Sequence, residues 1–305
     1  MRQGRALGDR ERAVAAFVAR ELGYEATRVV RVDAFATNAV YAVDADGLRF
    51  VVKASRMHDA VRAEAWACAR GAGVGCAAPG LLGLGRLGPD DRMSAFIMRR
   101  VAGGPIGAGH PALPAVGDSL RRVHDVRLPG FGWLAEASWD ERSAFALRHR
   151  SWLDFLQGIV GDTRCLADRY VVAAPVAEAA AAALDAHAAA LAAVEVGSLC
   201  HGDLKAAYIF VEAGRLTGVI DWGDAVVGDP LWDIARFAHR ADVGSVSLLL
   251  AGYDPARALV DALGWRVPLY GVLWRLVDAL VAHRLGRRVE AMLEAAMGAL
   301  AQQAR

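Results

Sequence analysis

Lysine is almost absent from this sequence. Of its 35 lysine and arginine residues, all but Lys53 and Lys205 are arginine. Because a guanidinium fork and a compact ammonium are not interchangeable at a tight site, we expect these two lysines to do what arginine cannot. Their contexts also exclude one class of enzyme. A P-loop NTPase needs Gly-Lys-Ser/Thr, whereas alanine follows each lysine here.

Other absences exclude further classes of protein. The net charge is only +1, whereas a nucleic-acid-binding protein is expected to have a basic excess. The four cysteines form no Cys-x-x-Cys pair, so we expect neither a structural zinc site nor a disulfide framework. The first residues lack the apolar segment of a signal peptide, and charges interrupt the longest apolar stretches, 171–196 and 267–285. We therefore expect a cytoplasmic protein without nucleic-acid or membrane partners.

The first hundred residues alternate between short β-like runs and two helical segments. Residues 9–22 and 59–71 have apolar positions at helical spacing. Alternating or β-branched runs occur at 28–32, 39–43, 48–53, 81–87 and 94–100. Asp44-Ala-Asp-Gly47 is a typical hairpin turn. This pattern predicts an antiparallel sheet with one main inserted helix.

The composition changes after residue 102. From residue 112 onward helical periodicity dominates, interrupted by one β-like patch at 208–211 and 216–220. We expect the alanine-rich segment 177–193 to form an ordinary helix. The sequence thus predicts an α+β fold with two lobes, an N-lobe of residues 1–102 and a mostly helical C-lobe of residues 103–305.

Charge is divided unevenly between these lobes. Residues 1–104 contain 16 basic and 11 acidic residues, and the remainder contains 19 basic and 23 acidic residues. This division fits a basic lobe that faces a nucleotide and an acidic lobe that attracts a cationic substrate. Chance scatter of surface charge explains it equally well.

The densest chemical signal lies in two segments, 199–211 and 219–235. The first places His201, Asp203 and Lys205 before a short apolar strand, and the second contains an apolar strand that ends at Asp221. If the two strands pair as a hairpin, both aspartates lie at the same open end of that hairpin. Two carboxylates and a lysine suit phosphoryl transfer, in which one carboxylate receives the hydroxyl proton, the other holds Mg²⁺ and the ammonium meets phosphate.

His-Gly-Asp-Leu-Lys followed by Ile-Asp-Trp-Gly resembles the aminoglycoside phosphotransferase family, whose fold is protein-kinase-like. Gly-Asp-Pro-x-x-Asp at 228–233 is also typical of that family. Phe50-Val-Val-Lys53-Ala resembles its third N-lobe strand, and residues 96–103 resemble its hinge strand. The similarity extends in the expected order from about residue 35 to residue 240.

The resemblance implies a role for each matching residue. Asp203 would be the catalytic base or hydroxyl-orienting residue, Lys205 would approach the γ-phosphate, and Asp221 would be the Mg²⁺ ligand. The residues implied for the nucleotide site are Lys53 at the α/β-phosphates, its helix partner Glu64, Thr37 and Asn38 in the phosphate loop, and Arg99 and Val101, whose main-chain groups would hold adenine.

Two positions depart from the family pattern. The family has Asn as a second metal ligand five residues after the catalytic Asp, where this chain has Tyr208. A neutral phenol is a poor Mg²⁺ ligand. Water could fill the vacant position, Tyr208 could contact substrate, or turnover could be lost. The phosphate loop, residues 35–41, has no glycine, so its phosphate contacts would depend on Thr37, Asn38 and free amides.

Several further motifs have a structural interpretation. Gly-Leu-Gly-Arg-Leu-Gly at 83–88 matches a dinucleotide fingerprint, but Pro89 follows it where a helix should begin, so we predict a strand and hairpin. Asp224, Asp229 and Asp233 are either further metal ligands or carboxylates that cap helices and loops. His201 is best interpreted as a hydrogen-bonding brace of the catalytic loop.

The sequence therefore predicts a small-molecule kinase that uses ATP, or GTP, and Mg²⁺ to phosphorylate a hydroxyl group. The first candidate for the acceptor is an antibiotic such as an aminoglycoside, which is cationic. The alternatives are a kinase of an amino alcohol, sugar or nucleoside, and a nucleotide-binding pseudokinase suggested by Tyr208. The chain is expected to be a monomer or a dimer.

Overall fold

The first lobe is an antiparallel sheet with two helices. In this computed structural model, residues 8–34, 38–88, 92–140 and 144–303 are described. The elements of the first lobe are α1 (Asp9–Leu22), β1 (Ala26–Ala34), β2 (Asn38–Ala45), β3 (Leu48–Ser55), α2 (His58–Gly73), β4 (Leu81–Arg86) and β5 (Ser94–Arg99). The strands pair in the order β1-β2-β3-β5-β4, which confirms the predicted sheet with its inserted helix.

Local sequence explains this topology. The turn between β2 and β3 contains Asp46 and Gly47, both with positive φ, as a tight hairpin requires. Residues 83–86 of the glycine-rich segment lie in β4, so the strand prediction there is confirmed. One face of the sheet packs on α1 through a core that includes Phe17 and Val52.

The second lobe is mainly helical. Its helices are α3 (Leu113–His124), α4 (Trp152–Arg164), α5 (Ala173–Ala186), α6 (Ala188–Ala192), α7 (Leu231–Arg240), α8 (Val243–Tyr253), α9 (Val260–Arg284) and α10 (Glu290–Gln303). Its strands are β6 (Gly104–Pro105), β7 (Arg127–Leu128), β8 (Gly132–Trp133), β9 (Ser138–Trp139), β10 (Phe145–Ala146), β11 (Gly197–Cys200), β12 (Ile209–Glu212), β13 (Arg215–Val219) and β14 (Val226–Gly228).

Two sequence expectations for this lobe were incomplete. Besides the predicted β12–β13 hairpin, it contains strands of two to four residues, and runs so short have no detectable periodicity. The alanine-rich segment forms two helices rather than one, because the chain leaves helical geometry at His187. None of the helices in the described part of the chain combines the length and hydrophobicity needed to cross a lipid bilayer.

Two small sheets position the chemistry-bearing loops. One has the order β7-β11-β14-β8 and the other has the order β13-β12-β6. The loop that contains Asp203 joins β11 to β12, and the loop that contains Asp221 joins β13 to β14. Because β11 pairs with β14 and β12 pairs with β13, the two loops emerge side by side.

The lobe boundary proposed near residue 102 lies between β5 and β6. The connecting segment is fastened to the C-lobe. The Thr217 hydroxyl donates a hydrogen bond to the Ala102 carbonyl at 2.8 Å, and the side chain of Val101 lies where a Cβ on Gly218 would be. The first lobe is therefore held against β13.

Helices α3 and α8 approach closely at two glycines. A Cβ on Gly117 would lie 2.1 Å from the Leu249 carbonyl oxygen, and a Cβ on Gly252 would lie 1.8 Å from the Pro114 carbonyl oxygen. Backbone atoms cannot move aside as flexible side chains can. This contact sets the position of His124 at the end of α3 relative to Tyr253 at the end of α8, a pair that matters for the site below.

We predict that Gly117→Ala destabilises the protein by about 1–3 kcal/mol, the usual cost of overpacking. Gly271→Ala is the matched control, because a Cβ at this helical glycine in α9 meets no atom of the described residues within 4 Å apart from the backbone of its own helix. This control should instead stabilise the protein by about 0.5–1 kcal/mol, since alanine favours helix. Urea denaturation of both variants measures the difference, and equal effects at the two positions would contradict the close contact.

Candidate active site

Lys53 connects the two lobes through two carboxylates. It lies on β3, and its Nζ is 2.7 Å from Glu64 Oε1 on α2 and 2.7 Å from Asp221 Oδ1 in the C-lobe. The side chains of Lys53 and Glu64 are nearly buried, whereas Asp221 is one-third exposed. Lys53 thus contacts a carboxylate 168 positions away in the sequence, and the expected convergence of Lys53, Glu64 and Asp221 is present.

The charges in this cluster are strongly coupled. Burial lowers the pKa of Lys53, but the two carboxylates outweigh burial and raise it overall. Burial raises the pKa of Glu64 to about 7, even though Lys53 opposes this shift. Burial also acts to raise the pKa of Asp221, but Lys53 and a hydrogen bond from Tyr208 lower it overall. Asp221 is therefore ionised and faces the cleft as an anion.

Asp203 lies in the loop that follows β11, and three nitrogen atoms of two cationic side chains hold its carboxylate. Arg236 on α7 places Nε 2.7 Å and Nη2 2.6 Å from Oδ1. Lys205 Nζ lies 2.7 Å from Oδ2. The preceding Gly202 has φ of 82°, and a Cβ there would lie 1.7 Å from the Asp224 carbonyl oxygen. Glycine is thus required for the two loops to touch.

His201 and Asp233 support this loop from beneath. His201 Nδ1 accepts the Asp203 backbone N–H at 3.2 Å, so its Nε2 carries the proton that is donated to the Ile220 carbonyl. Asp233 accepts the backbone N–H groups of His201 and Gly202 at 2.6 and 2.8 Å. With both ring nitrogens engaged, His201 has the geometry of a brace, as the sequence analysis interpreted it.

A buried cluster around Asp233 has the composition of a metal site but is saturated with hydrogen bonds. The ligand atoms of His124, Cys200 and Asp233 lie within 4.8 Å of one another. His124 Nε2 donates to Asp233, and its Nδ1 accepts from the Tyr253 hydroxyl. These contacts join α3, α7 and α8. Hydrogen bonds lower the pKa of Asp233 despite its burial, which indicates a structural carboxylate.

Asp229 also has structural contacts. Its carboxylate accepts hydrogen bonds from the Leu231 N–H, from Arg266 Nη1 and from the Tyr270 hydroxyl. Asp224 differs, because it is an exposed residue. The surrounding protein and the charges of Asp203 and Asp221 raise the pKa of Asp224. The sequence left the roles of these three aspartates open. In the structure Asp229 and Asp233 brace the fold, whereas Asp224 is exposed near Asp203 and Asp221.

Asp221 has an unusual backbone conformation. Its φ of 67° and ψ of 66° lie in the left-handed region, which costs energy for a residue other than glycine. The adjacent Trp222 is buried, donates Nε1–H to the Val219 carbonyl and packs against Gly71 of α2. This packing holds the strained residue in place and aims its carboxylate at Lys53.

Tyr208 contacts both halves of the site. Its hydroxyl is hydrogen-bonded to Asp221, and the ammonium of Lys205 lies 3.9 Å from the centre of its ring. Burial and the charges of Asp221 and Asp203 raise its pKa, so the phenol is neutral. A neutral phenol is a poor Mg²⁺ ligand, and the contact of Tyr208 with Asp221 is that of a hydrogen-bond donor.

Three of the residues predicted to bind the nucleotide lie along the sheet of the first lobe and the segment that connects it to the C-lobe. Asn38 is half-buried and pairs with Ser55 in the β2–β3 ladder. Arg99 ends β5 with its side chain exposed, and Val101 packs on β13 as described above. Thr37 lies outside the described residues. The structure therefore places Asn38, Arg99 and Val101 along the sheet and hinge without testing their contacts to a nucleotide.

Sequence reasoning missed Arg236 and the hydrogen bond from Tyr208 to Asp221. Arg236 follows the recognised Asp233-Ile-Ala segment, but no spacing rule connects it with Asp203, 33 residues earlier. Arg236 is the sixth residue of α7, whose first seven residues are all buried. Only the packing of α7 against the catalytic loop reveals the contact.

This arrangement has the chemistry of a phosphotransferase. A sheet lobe contributes a buried Lys–Glu pair, and a helical lobe contributes an ionised Asp221 beside Asp203 and Lys205. Such a cleft offers cations for phosphate, a carboxylate for a divalent ion and another for a hydroxyl proton. The fold and site together define a small-molecule kinase with a bilobal, protein-kinase-like architecture.

A comparison with known protein families agrees with the assignment as a small-molecule kinase. Residues 28–269 match the phosphotransferase enzyme family, also called APH. Because the match covers most of the chain, the protein belongs to this family, and it is a small-molecule phosphotransferase. A comparison of the sequence with curated proteins finds no match.

Solved structures share the fold at low sequence identity. One is a thermostable mutant of aminoglycoside phosphotransferase APH(4)-Ia in a ternary complex with AMP-PNP and hygromycin B, with TM-score 0.69, 18% identity and coverage of 95% of this chain and 97% of that chain. A putative fructosamine-3-kinase from Thermobifida fusca has TM-score 0.70 and 21% identity, covering 96% and 99%. A choline/ethanolamine kinase family protein from Mesorhizobium loti has TM-score 0.62 and 19% identity, covering 97% and 92%.

We predict that Asp233→Asn lowers stability at neutral pH by about 2–3 kcal/mol, because one carboxylate oxygen that accepts hydrogen bonds becomes an amide donor. The pKa of Asp233 is lowered from its ordinary value of 3.8, so its contribution is present above that value and is lost as pH falls below about 4. The difference between wild type and variant should therefore shrink in acid. Urea titrations at several pH values measure it.

The exposed Asp168→Asn is the control for this measurement. It should leave stability within about 0.5 kcal/mol at each pH. An Asp233→Asn variant as stable as this control at neutral pH would show that Asp233 does not brace the loop.

Proposed function

We propose that this protein transfers the γ-phosphate of ATP to a hydroxyl group of a small molecule in a reaction that requires Mg²⁺. The observation that carries the proposal is the position of Lys53 Nζ, 2.7 Å from both Glu64 and Asp221, in the same cleft as Asp203. Membership of the phosphotransferase enzyme family supports it. GTP is a possible replacement for ATP, because the base contacts involve main-chain groups of the hinge.

In the proposed reaction Asp203 and Lys205 act at the transferred group. The acceptor hydroxyl oxygen forms a bond to the γ-phosphorus while the bond from that phosphorus to the bridging oxygen breaks, leaving the electron pair on the nucleoside diphosphate. The hydroxyl proton passes to the carboxylate of Asp203. The ammonium of Lys205, 2.7 Å from that carboxylate, meets the charge of the phosphate.

The opposite side of the cleft would hold the nucleotide. We assign Lys53 to the α/β-phosphates and Glu64 to holding Lys53 in place. Asn38 and Thr37 are proposed for the phosphate loop, and the main chain at Arg99 and Val101 for the base. The position of Arg99 at the end of β5, where the sheet meets the C-lobe, supports the last assignment.

The residues around Asp221 fit one divalent cation better than two. Asp221 is ionised, partly exposed and aimed into the cleft, as a Mg²⁺ ligand must be. A bound Mg²⁺ supplies charge neutralisation for the phosphates. Tyr208 is a poor second ligand, because its pKa is raised and a neutral phenol binds Mg²⁺ weakly. We propose instead that Tyr208 orients Asp221, which keeps the enzyme active without the family's usual Asn.

The acceptor is proposed to be a hydroxylated natural product of the aminoglycoside type, whose modification would give resistance. The acidic C-lobe and the exposed Asp224 in the cleft favour a cationic acceptor. A metabolite kinase is the second candidate, because the putative fructosamine-3-kinase and the choline/ethanolamine kinase family protein share the fold to a similar degree. We place the reaction in the cytoplasm, where ATP is available.

Mass spectrometry of an acceptor panel tests this function. Aminoglycosides, amino alcohols, sugars and nucleosides are incubated with the protein, ATP and Mg²⁺, and one acceptor is expected to gain a single phosphate. Asp203→Asn should lower the rate by about 10²–10⁴-fold, the usual share of a general base. Its affinity for Mg-ADP should be unchanged.

Asp168→Asn again serves as the matched control and should retain the wild-type rate. Binding of nucleotide by the wild type without phosphorylation of any acceptor would favour a pseudokinase. Full turnover by Asp203→Asn would contradict the role of Asp203.

A further inference from the structure

Arg236 is a buried cation that the proposed chemistry leaves without a role. It lies on α7 and is only 6% exposed. Its guanidinium donates to Asp203 on one side and to Asp278 of α9 on the other, the latter from Nη1 to Oδ1 at 2.9 Å. A buried arginine that joins two carboxylates is costly to desolvate, so its contact with a reacting group calls for an explanation.

The contact with Asp203 is selective for one oxygen. Nε and Nη2 of Arg236 both reach Oδ1, at 2.7 and 2.6 Å. Each carboxylate oxygen offers about two lone-pair positions for hydrogen bonds, so Arg236 fills those of Oδ1. Oδ2 accepts from Lys205 at 2.7 Å. Among the described residues these are the donors to the carboxylate, which leaves one lone-pair position on Oδ2.

Arg236 itself is immobilised from behind. Asp278 also accepts from Arg240 Nη2 at 2.7 Å and from His239 Nε2 at 3.2 Å. Arg275 donates to His239 Nδ1 at 2.9 Å, which fixes the ring so that Nε2 carries the proton. The plane of the Arg236 guanidinium lies over Trp274, 4.3 Å from the ring centre. The guanidinium group of Arg236 therefore cannot rotate without breaking contacts with both α7 and α9.

We propose that Arg236 is a positioning residue that makes Oδ2 of Asp203 the oxygen that receives the proton of the acceptor hydroxyl. This inference rests on the proposed function and specifies its geometry. By saturating Oδ1 and fixing the carboxylate plane, Arg236 directs the open position of Oδ2 to the side of Lys205, where the transferred phosphate is proposed to lie. Asp278 anchors Arg236 and so extends the catalytic loop's support to α9.

The test compares three variants at the acceptor that the wild type phosphorylates fastest in the panel. Arg236→Gln removes the charge and the fork. Arg236→Lys keeps the charge, but a single ammonium cannot bridge Asp203 and Asp278 as the fork does. Arg284→Gln is the control, because Arg284 of α9 pairs with Asp162 at the surface and, among the described residues, is no part of the contacts that hold Arg236. The kcat, the KM for acceptor and the Kd for Mg-ADP are measured for each.

We expect Arg236→Gln to lower kcat about 100-fold, the effect of a misplacement near 1 Å at a reacting group. Its Kd for Mg-ADP should stay within about threefold of wild type, which shows that the cleft is intact. Arg236→Lys should recover part of kcat, and Arg284→Gln should behave as wild type. If Arg236→Gln does not fold, the partial loss in Arg236→Lys with unchanged Mg-ADP affinity remains the expected result.

Two outcomes would overturn the inference. A kcat within about threefold of wild type in both Arg236 variants would show that Asp203 does not need the fork. A parallel loss of kcat and Mg-ADP affinity in both Arg236 variants would show that Arg236 only stabilises the lobe. An inactive wild type would instead refute the proposed function, so the two failures are distinguishable.

Discussion

One ammonium group between two carboxylates holds the site together. Lys53 lies on the sheet of the first lobe, Glu64 on its helix and Asp221 on a loop of the second lobe. A buried charge is stable only when it is paired, so each lobe supplies a group that the other needs. Removing Lys53 would leave the two carboxylates without a cation in a nearly buried cluster. The cleft therefore depends on this contact for its geometry as well as for its chemistry.

Buried charges are also paired in the second lobe, where the charged groups are aspartates. Asp203 is held by Arg236 and Lys205, and Asp233 is held by two backbone N–H groups and His124. One aspartate keeps an open lone-pair position toward the cleft, while the other is saturated and buried. The same side chain thus serves as a reacting group or as a brace, depending on how many donors surround it. The close approach of α3 and α8 fixes one of those donors, His124 at the end of α3.

The sequence predicted the features that local patterns encode. The sheet of the first lobe, the β12–β13 hairpin and the segments containing Lys53, Asp203 and Asp221 all follow from alternation, turn residues and motif spacing. The two-residue strands could not be predicted, because a pattern needs more positions than they have. Arg236 and the Tyr208–Asp221 hydrogen bond were also missed, since they arise from tertiary packing between distant segments. The contacts of Thr37, Asn38, Arg99 and Val101 with nucleotide remain predictions.

The scarcity of lysine gives the most direct test of the account. If Lys53 is retained because a compact ammonium alone fits between Glu64 and Asp221, then Lys53→Arg must fail although it keeps the charge. Calorimetric titration with Mg-ADP, together with kcat for phosphoryl transfer, measures this. The account predicts weaker nucleotide binding and a loss of kcat of about 100-fold. Wild-type affinity and turnover in Lys53→Arg would contradict the central role of the shared ammonium.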